Sequence, residues 1–122
     1  MKLYHYSNKD LKVISPKYFG YNSYSFNEKK YSNIPRSFFY LEPKIPEYHL
    51  KNSKYCYTVN IELAILYDLR IDKDNLKVKY QGNINSLLQY IKDNFSGCIY
   101  NVGFDIAILF NDMEVLKEEV LR

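Results

Sequence analysis

Apolar and polar positions alternate with period two in several short stretches of the chain, and recur with helical spacing in one. In residues 55–61, Tyr55, Tyr57, Val59 and Ile61 share one side, while Cys56, Thr58 and Asn60 share the other. That alternation predicts a half-buried strand. Residues 2–6 predict another strand, with Leu3, His5 and Ser7 on one face and Tyr4 and Tyr6 on the opposite one. Aromatic-rich residues 36–41, which follow Pro35, predict a third. Residues 97–100 and 104–110 read as further strands, and Leu76–Tyr80 as a weak one. The helical stretch is 84–95, where Ile84, Leu87, Leu88 and Ile91 recur on one side and Asn83 stands at the capping position.

Between these elements lie turn and loop signals. Ser7, Asn8, Lys9 and Asp10 form a turn or helix start with Ser7 as its cap, and Leu11, Val13 and Ile14 make a brief extended or helical turn. Residues 17–35 are polar and tyrosine-rich and predict a long loop. Pro43 and Pro46 leave room only for a short helix in residues 42–50. Residues 61–66 fit one helical turn, Asp72 to Asn75 a turn, and 113–121 either a strand or a helix. No repeat, linker or βαβ rhythm is visible. The expectation is one α+β domain over residues 1–122, with two packed, mostly antiparallel sheets of short strands and few helices.

Composition adds one unusual feature. The chain has 14 Tyr and 7 Phe but no Trp. Tyrosine joins an apolar ring to a polar tip and suits the walls of clefts. Lys, Asn and Ile are also frequent, so an AT-rich coding bias accounts for part of the tyrosine content. With 17 basic and 14 acidic residues, the net charge of +3 helps a phosphate-bearing ligand approach but does not mark a nucleic-acid binder. Cys56 and Cys98 stand far apart in apolar runs and read as buried, reduced thiols. His5 and His49 are the only histidines, and no metal-ligand spacing is present, so no metal is expected. No apolar run of about 7 residues follows Met1, and no stretch approaches the ~20 apolar residues of a membrane span. A cytoplasmic protein is expected. Glycines at 20, 82, 97 and 103 are isolated, which excludes the phosphate-cradling motifs, and no nucleophile elbow occurs.

The remaining chemistry gathers around a few residues. His5 fits either a hydrogen-bonded structural histidine or an imidazole that bonds a ligand hydroxyl; Ser7 adds a second polar group to its face. Tyr40 and Tyr48 suit stacking on a planar ring with wet hydroxyls, and Arg36 suits a phosphate. A strand with His followed two residues later by Ser, then a strand with aromatic-Tyr-aliphatic, then a further Tyr, resembles the ADP-ribosyltransferases. The poly(ADP-ribose) polymerase-type branch uses a His–Tyr–Glu set, and small phage-encoded members, an anti-CRISPR ADP-ribosyltransferase among them, have a similar size and opening.

The resemblance implies that NAD is the substrate, with His5 on a ribose and Tyr40 and Tyr48 on the nicotinamide; Ser7 on the His5 face and the Arg36 cation complete the expected NAD-binding set. It implies an acidic third member on a late strand, within residues 98–110. In many relatives that acid stands four residues before the terminal aromatic of the strand. Counting back from Phe110 gives Ile106, with Asp105 one residue away. Either a bulge re-aims Asp105 into the cleft, or the slot holds Ile106. With Asp105 in the slot, Asp105 and Tyr40 are the expected catalytic residues, because a carboxylate stabilises the oxocarbenium character that develops as nicotinamide departs. The implied activity is mono-ADP-ribosylation of a macromolecule, a protein rather than a nucleic acid, by a phage or mobile-element effector acting in the host cytoplasm. The rival readings are a non-catalytic binding or inhibitor protein on the same fold, and a small RNA-binding or RNA-cleaving domain that uses His5, Arg36 and exposed tyrosines.

Overall fold

The computed structural model describes residues 1–43 and 47–122, and only the backbone at 23 and 48–50. Seven strands form one twisted sheet: β1 (Lys2–Ser7), β3 (Ser37–Tyr40), β4 (Tyr55–Asn60), β5 (Leu66–Asp68), β6 (Gly97–Asn101), β7 (Asp105–Leu109) and β9 (Lys117–Val120). Their spatial order is β5-β6-β7-β3-β1-β4-β9. A separate two-stranded ribbon joins β2 (Val13–Ile14) to β8 (Met113–Glu114). This is an α+β domain. All neighbours in the large sheet are antiparallel except β5 and β6, which run parallel. A parallel pair needs a crossover, and here it carries α3 (Leu76–Tyr80) and α4 (Ile84–Asn94).

The two faces of the sheet bury different sets of side chains. On one face Leu3, Phe39, Tyr57, Val59, Ile99, Ala107 and Leu109 pack together, closed over by Ile14 and Met113 of the ribbon. On the other face Cys98, Ile106 and Ile108 meet Leu87, Leu88 and Ile91 of α4 and Leu76 of α3. Each fully buried aliphatic side chain here stabilises the fold by about 1.5–3 kcal/mol relative to exposure. Asn83 caps α4 as the spacing predicts, its Oδ1 accepting from the Ser86 N–H at 3.1 Å. Cys56 and Cys98 are buried free thiols, and burial pushes Cys98 up to about 12.

Two segments differ from the expectations. Leu76–Tyr80 is helix rather than strand. Leu76 is buried, but Val78 is 73% exposed, so the apparent alternation does not match burial. The Asp72 carboxylate accepts from the Leu76 and Lys77 N–H groups at 2.9 and 3.1 Å, placing an anion at the helix start. Residues 17–35 are not one long loop: a 3-10 turn (Pro16–Tyr18) and α1 (Ser23–Glu28) occupy part of them. Asn22 caps α1 by accepting from the Ser25 N–H at 2.8 Å. A short helix, α2 (Glu47–Asn52), follows β3. Of the two alternatives for 113–121 the structure has strand, split between β8 and β9.

Gly97 shows why a glycine is needed inside β6. A Cβ there would stand 2.0 Å from the Ile108 carbonyl oxygen of β7. Any side chain would force the two strands apart.

Candidate functional site

Strand register decides which candidate residues meet. Tyr4 of β1 stands opposite Tyr40 of β3, so His5 stands opposite Phe39. The His5 and Phe39 rings lie 5.5 Å apart at their centroids. His5 Nδ1 is 2.8 Å from the Phe38 carbonyl oxygen. That oxygen can only accept, so Nδ1 carries the proton in this bond. Ser7 falls on the same face by alternation, and its hydroxyl accepts from the Lys9 N–H at 3.1 Å, closing a turn.

Tyr40 does not share this face. Its ring packs on Tyr6, 5.9 Å away, and Phe104, 5.6 Å away, on the α4 side of the sheet. Burial raises its hydroxyl pKa. The expectation that His5 and Tyr40 line one pocket is therefore corrected. Adjacent residues of a strand point to opposite faces, and the pairing of β1 with β3 puts Phe39 beside the histidine. The Tyr48 side chain lies outside the described residues.

Arg36 is corrected as well. It is 4% exposed, and its guanidinium donates inward. Nη1 reaches the Ser32 and Ile34 carbonyls at 3.2 and 2.8 Å, and Nη2 the Glu28 carbonyl at 3.3 Å. Its plane also lies over the Phe19 and Phe38 rings, at 4.6 and 5.5 Å. Burial lowers its pKa from the usual arginine value. Arg36 thus organises the backbone of the 17–35 segment instead of facing a ligand phosphate, and it caps the carbonyl end of α1.

Asp105 opens β7 opposite Asn101. The β3–β7 and β6–β7 ladders pair residue for residue, so no bulge re-aims it. Ile106 pairs with Tyr40 and faces α4. Asp105 alternates with it and faces the His5 side, as does Ala107, which pairs with Phe39. Of the two candidates for the acidic slot, Asp105 alone shares a face with His5. The two residues are two strands and one pleat repeat apart, which strand geometry sets at about 12 Å between Cα atoms.

Three residues that sequence reading did not single out hold Asp105 in place. Asn101 Nδ2 donates to Oδ1 at 3.0 Å, and Arg70 Nη1 donates to Oδ2 at 2.9 Å. Arg70 also forks onto Asp68 through Nε and Nη2, at 2.9 and 2.8 Å. The Arg70 bonds hold the Asp68 carboxyl below the usual carboxylate range, and Asp68 raises the Arg70 pKa. Asp68 with Arg70, and Asn101 with Asp105, are local pairs, two and four residues apart; the Arg70–Asp105 bond joins them across 35 residues.

A cleft of about 290 Å³ opens at the other end of β7 from Asp105, beside Asn60, Glu62, Ser96 and Asn111. His5, Tyr40, Arg36 and Asp105 do not line it. Among the described residues, no group of three His, Cys, Asp or Glu side chains is placed to hold a metal, and no helix is long and apolar enough to cross a membrane. No protein-family model, curated protein sequence or solved structure matches the chain. The functional reading therefore rests on the residues themselves.

Proposed function

We propose that the chain is an NAD-consuming mono-ADP-ribosyltransferase whose reacting groups, His5 and Asp105, lie on one side of the sheet. The observation that carries this reading is the shared orientation of His5, Phe39 and Asp105, set by the β1–β3 and β3–β7 registers. The ring beside the histidine is Phe39, which backs the imidazole, and Tyr40 has no part in the site.

In this reaction the bond between nicotinamide and the ribose anomeric carbon breaks, and its electron pair leaves with nicotinamide. The Asp105 carboxylate stabilises the positive charge that develops on the ribose. A lone pair of the acceptor then forms the new bond, and the proton it sheds passes to Asp105 or solvent. His5 bonds a ribose hydroxyl, with the ring orientation set through Nδ1 and the Phe38 carbonyl. Arg70 and Asn101 fix the carboxylate in one orientation. The expected acceptor is a protein.

The test is incubation with NAD carrying a label on the adenosine side, alone and with candidate acceptor proteins. The reading expects free nicotinamide to appear together with labelled protein. Absence of both NAD binding and nicotinamide release overturns it.

A further inference from the structure

Residues 17–31 present an unusual surface. Tyr18, Tyr21, Tyr24, Phe26 and Tyr31 are all exposed, Tyr21 by 77% and Phe26 by 64%. Isolated exposed rings are ordinary, but five within one short segment call for a partner. The rings are interleaved with cations. The Lys17 ammonium lies 5.1 Å from the Tyr18 ring centroid, and Tyr18 meets Tyr21 edge to face at 6.0 Å. Lys30 lies 5.1 Å from the Tyr31 centroid. The Lys29 stem crosses directly over Gly20, 3.0 Å from where a Cβ would stand. Gly20, at φ 92°, therefore lets this cation lie against the loop. The one acid of the segment, Glu28, interacts with Arg36 and Tyr24.

We propose that this surface binds single-stranded nucleic acid, the rings stacking on unpaired bases and Lys17, Lys29 and Lys30 meeting the phosphates. Interleaved lysines and rings favour this partner over a protein, because lysine is depleted at the centres of protein interfaces, whereas cations and stacking platforms together characterise single-strand binding. A duplex hides its base faces and offers the rings nothing to stack on. The surface is also held in shape: Arg36 pins the carbonyl end of α1, and the Ser25 hydroxyl accepts from the Gly20 N–H at 2.9 Å. Preorganisation lowers the cost of binding. Tyr24 packs edge-on against Phe38 at 4.9 Å, which puts the surface on the side of the sheet away from His5. The proposal is thus independent of the NAD reading.

The test is fluorescence anisotropy of the intact protein with labelled oligouridine and oligothymidine of about 12 nucleotides, at low salt, with a duplex of equal length for comparison. Single strands should bind, and log affinity should fall with log salt at a slope near −2, as expected for about three phosphate contacts. The double variant Tyr18→Ala/Tyr21→Ala should weaken binding at least tenfold. Replacing Lys17, Lys29 and Lys30 by Gln should flatten the salt dependence. Ile71→Ala, at an exposed position elsewhere, should change nothing. Circular dichroism checks that each variant is folded. No binding at low salt, a duplex bound as well as the single strands, or affinity indifferent to the two tyrosines would each overturn the proposal, as would capture of a protein partner by this surface without any oligonucleotide binding.

Discussion

The imidazole of His5 rests on the ring of Phe39, centroids 5.5 Å apart, while its Nδ1 bonds the carbonyl of the preceding residue, Phe38, at 2.8 Å. One strand thus supplies both the wall and the anchor for the histidine. Phe39 is fully buried, so its effect on a ligand runs through His5. Phe39→Leu should leave the fold intact at a cost of about 1 kcal/mol. NAD turnover should fall through a higher KM, since the imidazole loses its backing. Steady-state kinetics of the variant check this.

Arg36 has a different kind of importance. Its three carbonyl bonds hold together the end of α1 and the chain that leads into β3. Arg36→Ala removes the guanidinium donors from these carbonyls and opens a space between Phe19 and Phe38, which should destabilise the protein by about 3 kcal/mol. Arg36→Lys should rescue little of this, because a single ammonium cannot reproduce the fork. Limited proteolysis should find the first cuts within residues 20–31, and thermal unfolding should report the loss of stability.

Gly97→Ala tests the closeness of β6 and β7. The added methyl would fall 2.0 Å from a backbone oxygen, with no flexible side chain to yield. The expected loss is about 3 kcal/mol, an overpacking cost at the high end because backbone must move. The shift in denaturation midpoint at constant slope measures it.

Asp72 supplies a pH test. Burial pushes its pKa up, but bonds from the Tyr67 hydroxyl and the Lys77 and Leu76 N–H groups outweigh this and leave it below the usual value. A folded pKa below the unfolded one means stability that is fully present above about pH 4 and lost as pH falls through the folded pKa. Asp72→Asn should therefore lower Tm by a few degrees at pH 7, and the gap to the wild type should narrow towards pH 3. A gap independent of pH would show that the carboxylate charge plays no part.

These residues also show what a sequence can disclose. Alternation in 55–61 and helical spacing in 84–95 are local, and both elements stand where they were expected. Asn83 was legible as a cap because capping is local too. The start of α3 was not, since it depends on Asp72 folding back onto the Leu76 and Lys77 amides. Which aromatic of 38–40 faces His5 was illegible for a related reason. All are aromatic, and only the pairing of Tyr4 with Tyr40 across two distant strands decides which ring faces His5. Arg36 looked like a ligand cation because its partners are backbone carbonyls, which no sequence pattern displays. Asp105 reads as an acid from the sequence and Asn101 stands four residues away in the same hairpin, but Arg70 reaches it only through the folded sheet.

The face assignment is the centre of the account, and one measurement addresses it directly: nicotinamide release from NAD by the wild type and by His5→Ala, Asp105→Ala and Tyr40→Phe, each shown to be folded. The account predicts losses of about 100-fold or more for His5→Ala and Asp105→Ala. It predicts a rate within about twofold of wild type for Tyr40→Phe, whose ring faces the other way. Loss of turnover in Tyr40→Phe with full activity in His5→Ala or Asp105→Ala would contradict it.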